Sequence, residues 1–285
     1  MQARLEKLKV SAYTIPTDLP EGDGTLDWNE TTLVLVQASA GSKTGLGYTY
    51  ADSSTARLIQ DKLLPLLPGH DLSDIPALWD GMKRVTRNLG HSGIAAMAIS
   101  AVDTALWDLK ARILGLPLCN LLGTVRSAIP LYGSGGFTSY TLEQLREQLG
   151  RWAGEGMHWV KMKVGREAER DVERVAVARR AIGPKTQLLV DANGAYSRKQ
   201  ALRQANQFAM LDVSWFEEPV SSDDLEGLRL IRDLAPAGME VAAGERMLFD
   251  GMPVPERGFL KPDLSQPGLG ITFKQIDAAK YERTF

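Results

Sequence analysis

His158-Trp159-Val160-Lys161-Met162-Lys163-Val164-Gly165, an amphipathic run over 167–182, and then Gln187-Leu188-Leu189-Val190-Asp191 form the stretch that decides the fold. The first segment is short, β-branched and aromatic, and closed by glycine, so it reads as a strand. Helical spacing follows, then a second short apolar strand. Strand, helix and strand at this length make a parallel βαβ unit. Side chains two apart on a strand share a face, so Lys161 and Lys163 point the same way. Two desolvated ammonium groups held together repel, which predicts lowered pKa values suited to a base at neutral pH. On this spacing alone, a solvated edge strand is the alternative.

The same rhythm extends both ways. Ile129-Pro130-Leu131-Tyr132 precedes a helix over 141–153, and Val213-Ser214-Trp215-Phe216-Glu217 precedes a helix over 224–234. Glu240-Val241-Ala242-Ala243-Gly244-Glu245 is a fifth strand, and Phe259-Leu260-Lys261 a sixth, before a helix over 272–280. The repeat is close to the roughly 31 residues per unit of a barrel, which favours a barrel over an open doubly wound sheet. No helix opens on a dinucleotide glycine fingerprint; Gly133-Ser134-Gly135-Gly136 lacks the spacing.

Asp191, Glu217 and Glu245 end three consecutive predicted strands. That is the face on which barrels build active sites. Strands lie about 4.8 Å apart, so the three carboxylates can converge. Unpaired, they would repel, and a hard divalent cation with oxygen ligands removes that repulsion. This predicts a Mg²⁺ site on Asp191, Glu217 and Glu245. Asn193 is placed to hydrogen-bond a substrate oxygen, or else is a turn residue before Gly194.

Upstream, residues 10–15, 31–38 and 46–50 read as an antiparallel meander. Residues 16–28, with two prolines and four acids, read as a loop, either disordered or a lid. Helices are expected over 55–67, 75–88 and 93–114, the last stopped by Gly115. Asp103 and Asp108 on it read as structural acids bonded to backbone or solvent. The fold class is therefore α/β, an N-terminal α+β capping domain over 1–127 and an incomplete modified TIM (β/α) barrel of about six units over 128–285.

The 285 residues are 44% hydrophobic and 24% charged with a formal net charge of −2, an ordinary globular composition. That charge gives no argument for a nucleic-acid or membrane partner. The N-terminus lacks the apolar centre of a signal peptide, and Cys119, the single cysteine, reads as a buried inert thiol. A cytoplasmic homo-oligomer is expected.

Lys161-Met162-Lys163, Val190-Asp191-Ala192-Asn193-Gly194, Trp215-Phe216-Glu217-Glu218-Pro219 and Gly244-Glu245-Arg246 together resemble the enolase superfamily, and most closely its mandelate racemase subgroup. The helix around Ala98–Ala111 and the ending Gly115-Leu116-Pro117-Leu118-Cys119-Asn120-Leu121-Leu122-Gly123 are similar to that family's capping domain. The resemblance implies Mg²⁺ on the three acids. It implies Lys163 as the base that removes a proton α to a carboxylate, with Lys161 assisting electrostatically. A Lys base with Mg²⁺ is the general pattern of this superfamily. Lys261-Pro262-Asp263 is similar to the sixth-strand motif, and Asp263 matches the aspartate that orients a catalytic histidine in the racemase subgroup.

Two departures stand out: Gly268-Leu269-Gly270 replaces Gly-Gly, and the span from Glu245 to Asp263 is short. About 160 residues run from Ala128 onward, against roughly 250 for a whole barrel. His70, His91 and His158 all lie upstream of the place for a histidine partner of Asp263. Either the barrel is truncated or another chain covers the gap. The expected activity is Mg²⁺-dependent abstraction of the α-proton of a hydroxy acid, foremost acid-sugar dehydration by a carbon–oxygen lyase acting on a small-molecule carboxylate. The alternatives are a racemase or epimerase of a 2-hydroxy acid, a catalytically impaired truncated homologue, and a Schiff-base aldolase using Lys163.

Overall fold

A computed structural model describes residues 3–90, 92–243 and 258–285. Strands β1 (Lys7–Gly22), β2 (Asp27–Ala40) and β3 (Lys43–Tyr50) form antiparallel hairpins, β2 lying between the other two. Helices α1 (Ser54–Leu58), α2 (Ile75–Thr86), α3 (Ile94–Leu114) and α4 (Leu118–Leu122) follow. The predicted first helix is α1 continued by π and 3₁₀ turns to Leu66, with Pro65 in the last turn.

The cap closes on α3. Its Ala98, Ala101, Val102, Ala105 and Leu109 are buried. Gly45 and Gly47 of β3 lie so close that a Cβ there would meet the backbone of α3 at 2.0–2.4 Å. Small residues on both partners therefore permit the contact. Gly115 at φ +68° ends the helix, a conformation that favours glycine.

The expected loop over 16–28 is instead the arm of the first hairpin. Glu21 pairs with Trp28 and Gly22 with Asp27 after a register shift beyond Pro16. Pro16 and Pro20 are tolerated beside this irregular ladder, and docking elsewhere in the molecule holds the arm. Thr138 N–H donates to Gly22 O at 2.7 Å, Ser139 Oγ to Pro20 O at 2.8 Å, and Thr138 Oγ1 to Asp23 O at 2.7 Å.

Strand β4 (Ile129–Pro130) leads to β5 (Tyr132–Gly135), β6 (Trp159–Lys163), β7 (Gln187–Asp191), β8 (Val213–Glu217) and β9 (Glu240–Ala242). The last five form one parallel sheet in sequence order, a segment of a (β/α) barrel. Helices α5 (Leu142–Gly154), α6 (Asp171–Ile182), α7 (Arg198–Ala209) and α8 (Leu225–Leu234) cross between them. Thr141 with Gln144, and Ser197 with Gln200, close capping boxes on α5 and α7.

Alternation sorts the sheet's two faces. Val160, Met162, Leu188, Val190 and Phe216 form a core with Leu145, Leu149, Val175, Ala178, Ala205 and Phe208 of the helices. The residues between them, Lys161, Lys163, Leu189, Asp191, Trp215 and Glu217, take the opposite face.

The predicted sixth strand is not in this sheet. Phe259–Leu260 is β10, antiparallel to β4, so the parallel sheet has five strands among the described residues. The chain then returns to the cap. Gly268 bridges to Pro117, and the predicted last helix is reduced to α9 (Gln275–Ala278) with a 3₁₀ turn. Strand β11 (Glu282–Arg283) pairs antiparallel with β1. Asp108 is structural, as expected: it is buried and accepts from Leu46 N at 2.7 Å, Arg112 Nε at 2.7 Å and Leu269 N. Cys119 is half-buried rather than buried. No helix among the described residues is long and apolar enough to cross a membrane.

Candidate active site

The parallel registers bring the expected groups into line. Lys163 is level with Asp191, and Asp191 with Glu217, across β6, β7 and β8. All three end their strands on the inner face.

The lysines and acids form one network. Lys163 Nζ donates to Asp191 Oδ2 at 2.7 Å and to Asn193 Oδ1 at 2.9 Å. Lys161 Nζ donates to Glu217 Oε2 at 2.8 Å and lies 3.3 Å from the same Asp191 Oδ2. The Lys161 and Asp191 side chains are 6% and 2% exposed, so bulk water screens this contact little. The Tyr132 ring centroid lies 5.2 Å from Lys161 Nζ.

This network corrects the electrostatic expectation in two respects. Asp191 and Glu217 are paired rather than unpaired. Burial favours the neutral form of Lys161, but the charges of Asp191 and Glu217 and the hydrogen bond to Glu217 outweigh it, and its pKa is raised rather than lowered. Each ammonium meets a carboxylate more closely than repulsion between the lysines alone would suggest.

Asn193 and Glu218 follow the two acids with φ of +46° and +40°. Asn tolerates this left-handed conformation; for Glu it is uncommon. Asn193 N–H donates to Asp191 Oδ1 at 3.0 Å, and Glu218 N–H to Ala242 O at 2.8 Å. Asn193 is therefore both the turn residue and a polar group within the cluster. Trp215, Tyr132 and buried Glu218 were not singled out from the sequence. For Trp215, the available signal was its place two residues before Glu217.

Asp263 is not brought to this cluster. It is exposed, and its Oδ1 accepts from Ser265 N at 2.9 Å and Ser265 Oγ at 2.6 Å in a local turn. Those bonds hold its carboxyl below its ordinary range. The chain leaves the parallel sheet before it, which is why a strand-end role does not follow. Glu245 lies outside the described residues.

Among the described residues no three His, Cys, Asp or Glu side chains gather as a metal site. Asp191 and Glu217 supply two adjacent, oxygen-only donors of the kind that suits a hard cation. The turn of the first hairpin lies over the neighbouring strand ends. A Cβ on Gly24 would meet Ala192 O at 2.3 Å and Val164 O at 2.8 Å. Arg166 pairs with Asp27, and Trp28 packs edge-on against Phe137.

Comparison with known proteins accords with this arrangement. Residues 18–123 match the mandelate racemase / muconate lactonizing enzyme N-terminal domain, and residues 144–249 the enolase C-terminal domain-like family. The chain is 34% identical to 3,6-anhydro-alpha-L-galactonate cycloisomerase of Streptomyces coelicolor over 96% of its own length and 79% of that protein. It is 31% identical to L-talarate/galactarate dehydratase of Salmonella typhimurium over 79% of its own length, and spans 59% of that enzyme. A mandelate racemase/muconate lactonizing enzyme-like protein from Rubrobacter xylanophilus superposes with a TM-score of 0.95 at 44% identity, over 98% of this chain and 100% of that one. A racemase from Streptomyces coelicolor with bound magnesium superposes with a TM-score of 0.90 at 26% identity, over 98% and 100% of the two chains.

Proposed function

The chain belongs to the mandelate racemase / muconate lactonizing enzyme family of the enolase superfamily, and on that premise we propose that it removes the proton α to the carboxylate of an acid sugar, with Mg²⁺ as cofactor, in a dehydration. The observation that carries this reading is the pair of ammonium groups on one carboxylate oxygen, Asp191 Oδ2, at 2.7 and 3.3 Å. Cycloisomerase and dehydratase relatives that act on acid sugars support the substrate class.

Asp191 and Glu217 would hold the cation together with Glu245. When bound, Mg²⁺ supplies a divalent charge that draws the substrate carboxylate and stabilises negative charge developing there as the proton leaves. Charged Lys161 and a dication balance the three acids, which leaves Lys163 free to act as a neutral base. Lys163 is the base: its Nζ already reaches towards Asn193, beyond the strand end. A lysine that has passed its proton to neighbouring solvent accepts the α-proton at Nζ. The C–H electron pair becomes the Cα=Cβ bond as the Cβ–O bond breaks, the β-hydroxyl leaves as water on taking up a proton, and the enol tautomerises to the 2-keto-3-deoxy acid. Lys161 is the fixed cation. It sits deeper than Lys163, in contact with Asp191 and Glu217, and its positive charge favours negative charge on the substrate. Asn193 directs a substrate oxygen, and the 23–26 turn closes the site from the cap. In this reading residues 1–127 are the cap and 128–285 the barrel unit, whose last residues return to pair with the cap.

The test is a screen of acid sugars with Mg²⁺ by proton NMR in deuterated water. Loss of the α-proton signal followed by a 2-keto-3-deoxy product supports dehydration. Retention of the α-proton with no product from any acid sugar sinks it.

A further inference from the structure

Glu217 receives two donors on one oxygen. Lys161 Nζ reaches Oε2 at 2.8 Å, and the indole Nε1–H of Trp215 reaches the same Oε2 at 3.1 Å. Neither contact uses Oε1. Trp215 stands two residues before Glu217 on β8, on the same face, level with Leu189 of β7 and Glu240 of β9. It walls a largely apolar recess of about 420 Å³ beside the network, together with Tyr132 and Trp159.

The two donors differ in kind. Lys161 carries a full charge that opposes a second cation nearby. The indole N–H is neutral, donates only and cannot turn round to accept. It fixes the carboxyl plane of Glu217 without cancelling the charge that a cation needs. Groups that orient metal-binding side chains in this way tune metal affinity strongly.

We propose that Trp215 is a positioning residue for Glu217, its indole N–H holding Oε2 so that Oε1 is presented to a divalent cation. The proposal rests on the metal reading above. It predicts that indole chemistry at this position, rather than aromatic bulk, sets cation affinity.

The experiment is calorimetric titration of Mg²⁺ alone, without substrate, into the full chain. Trp215→Phe keeps the ring and removes the donor, and should weaken binding about 10- to 100-fold. Trp159→Phe changes a wall of the same recess and should bind like the parent. In parallel, the Trp215 indole ¹⁵N–¹H resonance is assigned by Trp→Phe variants at the other five of the six tryptophans. It should move on Mg²⁺ addition with the calorimetric midpoint. Parent-like binding by folded Trp215→Phe, with binding lost in Glu217→Gln, overturns this inference alone. If Trp215→Phe does not fold, an indole resonance that stays still during saturation overturns it. No Mg²⁺ binding by the parent chain overturns the metal reading and this inference with it.

Discussion

Lys161 on β6 reaches past β7 to place its Nζ 2.8 Å from Oε2 of Glu217 on β8. One buried cation thus ties three strands of the barrel wall, since Asp191 on the strand between also lies within 3.3 Å. Removing one member of a buried ionic set leaves charge uncompensated, at a cost of about 3–5 kcal/mol. Lys161→Met should lose that much stability in urea denaturation at neutral pH without added metal. A loss below about 1 kcal/mol would show that the network carries little.

The same contact fixes an alkaline dependence. The folded pKa of Lys161 lies above the ordinary 10.5, so folding favours its protonated form. Its contribution is complete below 10.5 and is lost as pH rises through the higher folded value. The stability difference between the parent and Lys161→Met should be flat from pH 8 to 10 and shrink only above 10.5. Shrinkage beginning near neutrality would mean that the pKa is lowered instead.

Gly24 tests the docking of the hairpin turn. A side chain there meets the carbonyl oxygens of Ala192 and Val164, which are backbone and cannot move aside alone. Gly24→Val should lift the turn and free the Thr138 amide, bonded to Gly22 O at 2.7 Å. Hydrogen exchange at Thr138 should accelerate about tenfold or more, as expected for local opening. An unchanged rate would show that the turn is held elsewhere.

Asp108 tests the return of the chain to the cap. It has no exposed side-chain surface and serves Leu46 N, Arg112 and Leu269 N together. Asp108→Ala strands two amides and a guanidinium, a loss on the order of 3 kcal/mol. Limited proteolysis should then cut near residues 268–271 before the rest of the chain. Cleavage with parent kinetics would contradict the linking role.

What was legible in the sequence is what strand geometry alone dictates. Alternation was enough to put Lys161 beside Lys163, and the strand ends were enough to align Asp191 with Glu217. What escaped needed partners distant in sequence. Residues 16–28 look like a loop because prolines and acids crowd there, and only pairing with β2 and the Thr138 and Ser139 contacts make them a hairpin. The pKa of Lys161 was misjudged because like charges are visible in one segment, whereas the compensating acids come from two others. Asp263 carries a motif, yet the chain has already turned antiparallel at β10 and it caps a surface turn instead.

The central claim is that Lys163 takes an α-proton beside Asp191 and Glu217. Its most direct test is the rate at which an acid sugar loses its α-proton and solvent deuterium is incorporated at C3 of the 2-keto-3-deoxy product, with Mg²⁺ in deuterated water, for the parent chain against Lys163→Ala. The account predicts incorporation by the parent and a fall of at least about 10²-fold in the variant, the usual scale for loss of a general base. Equal incorporation by both would contradict it.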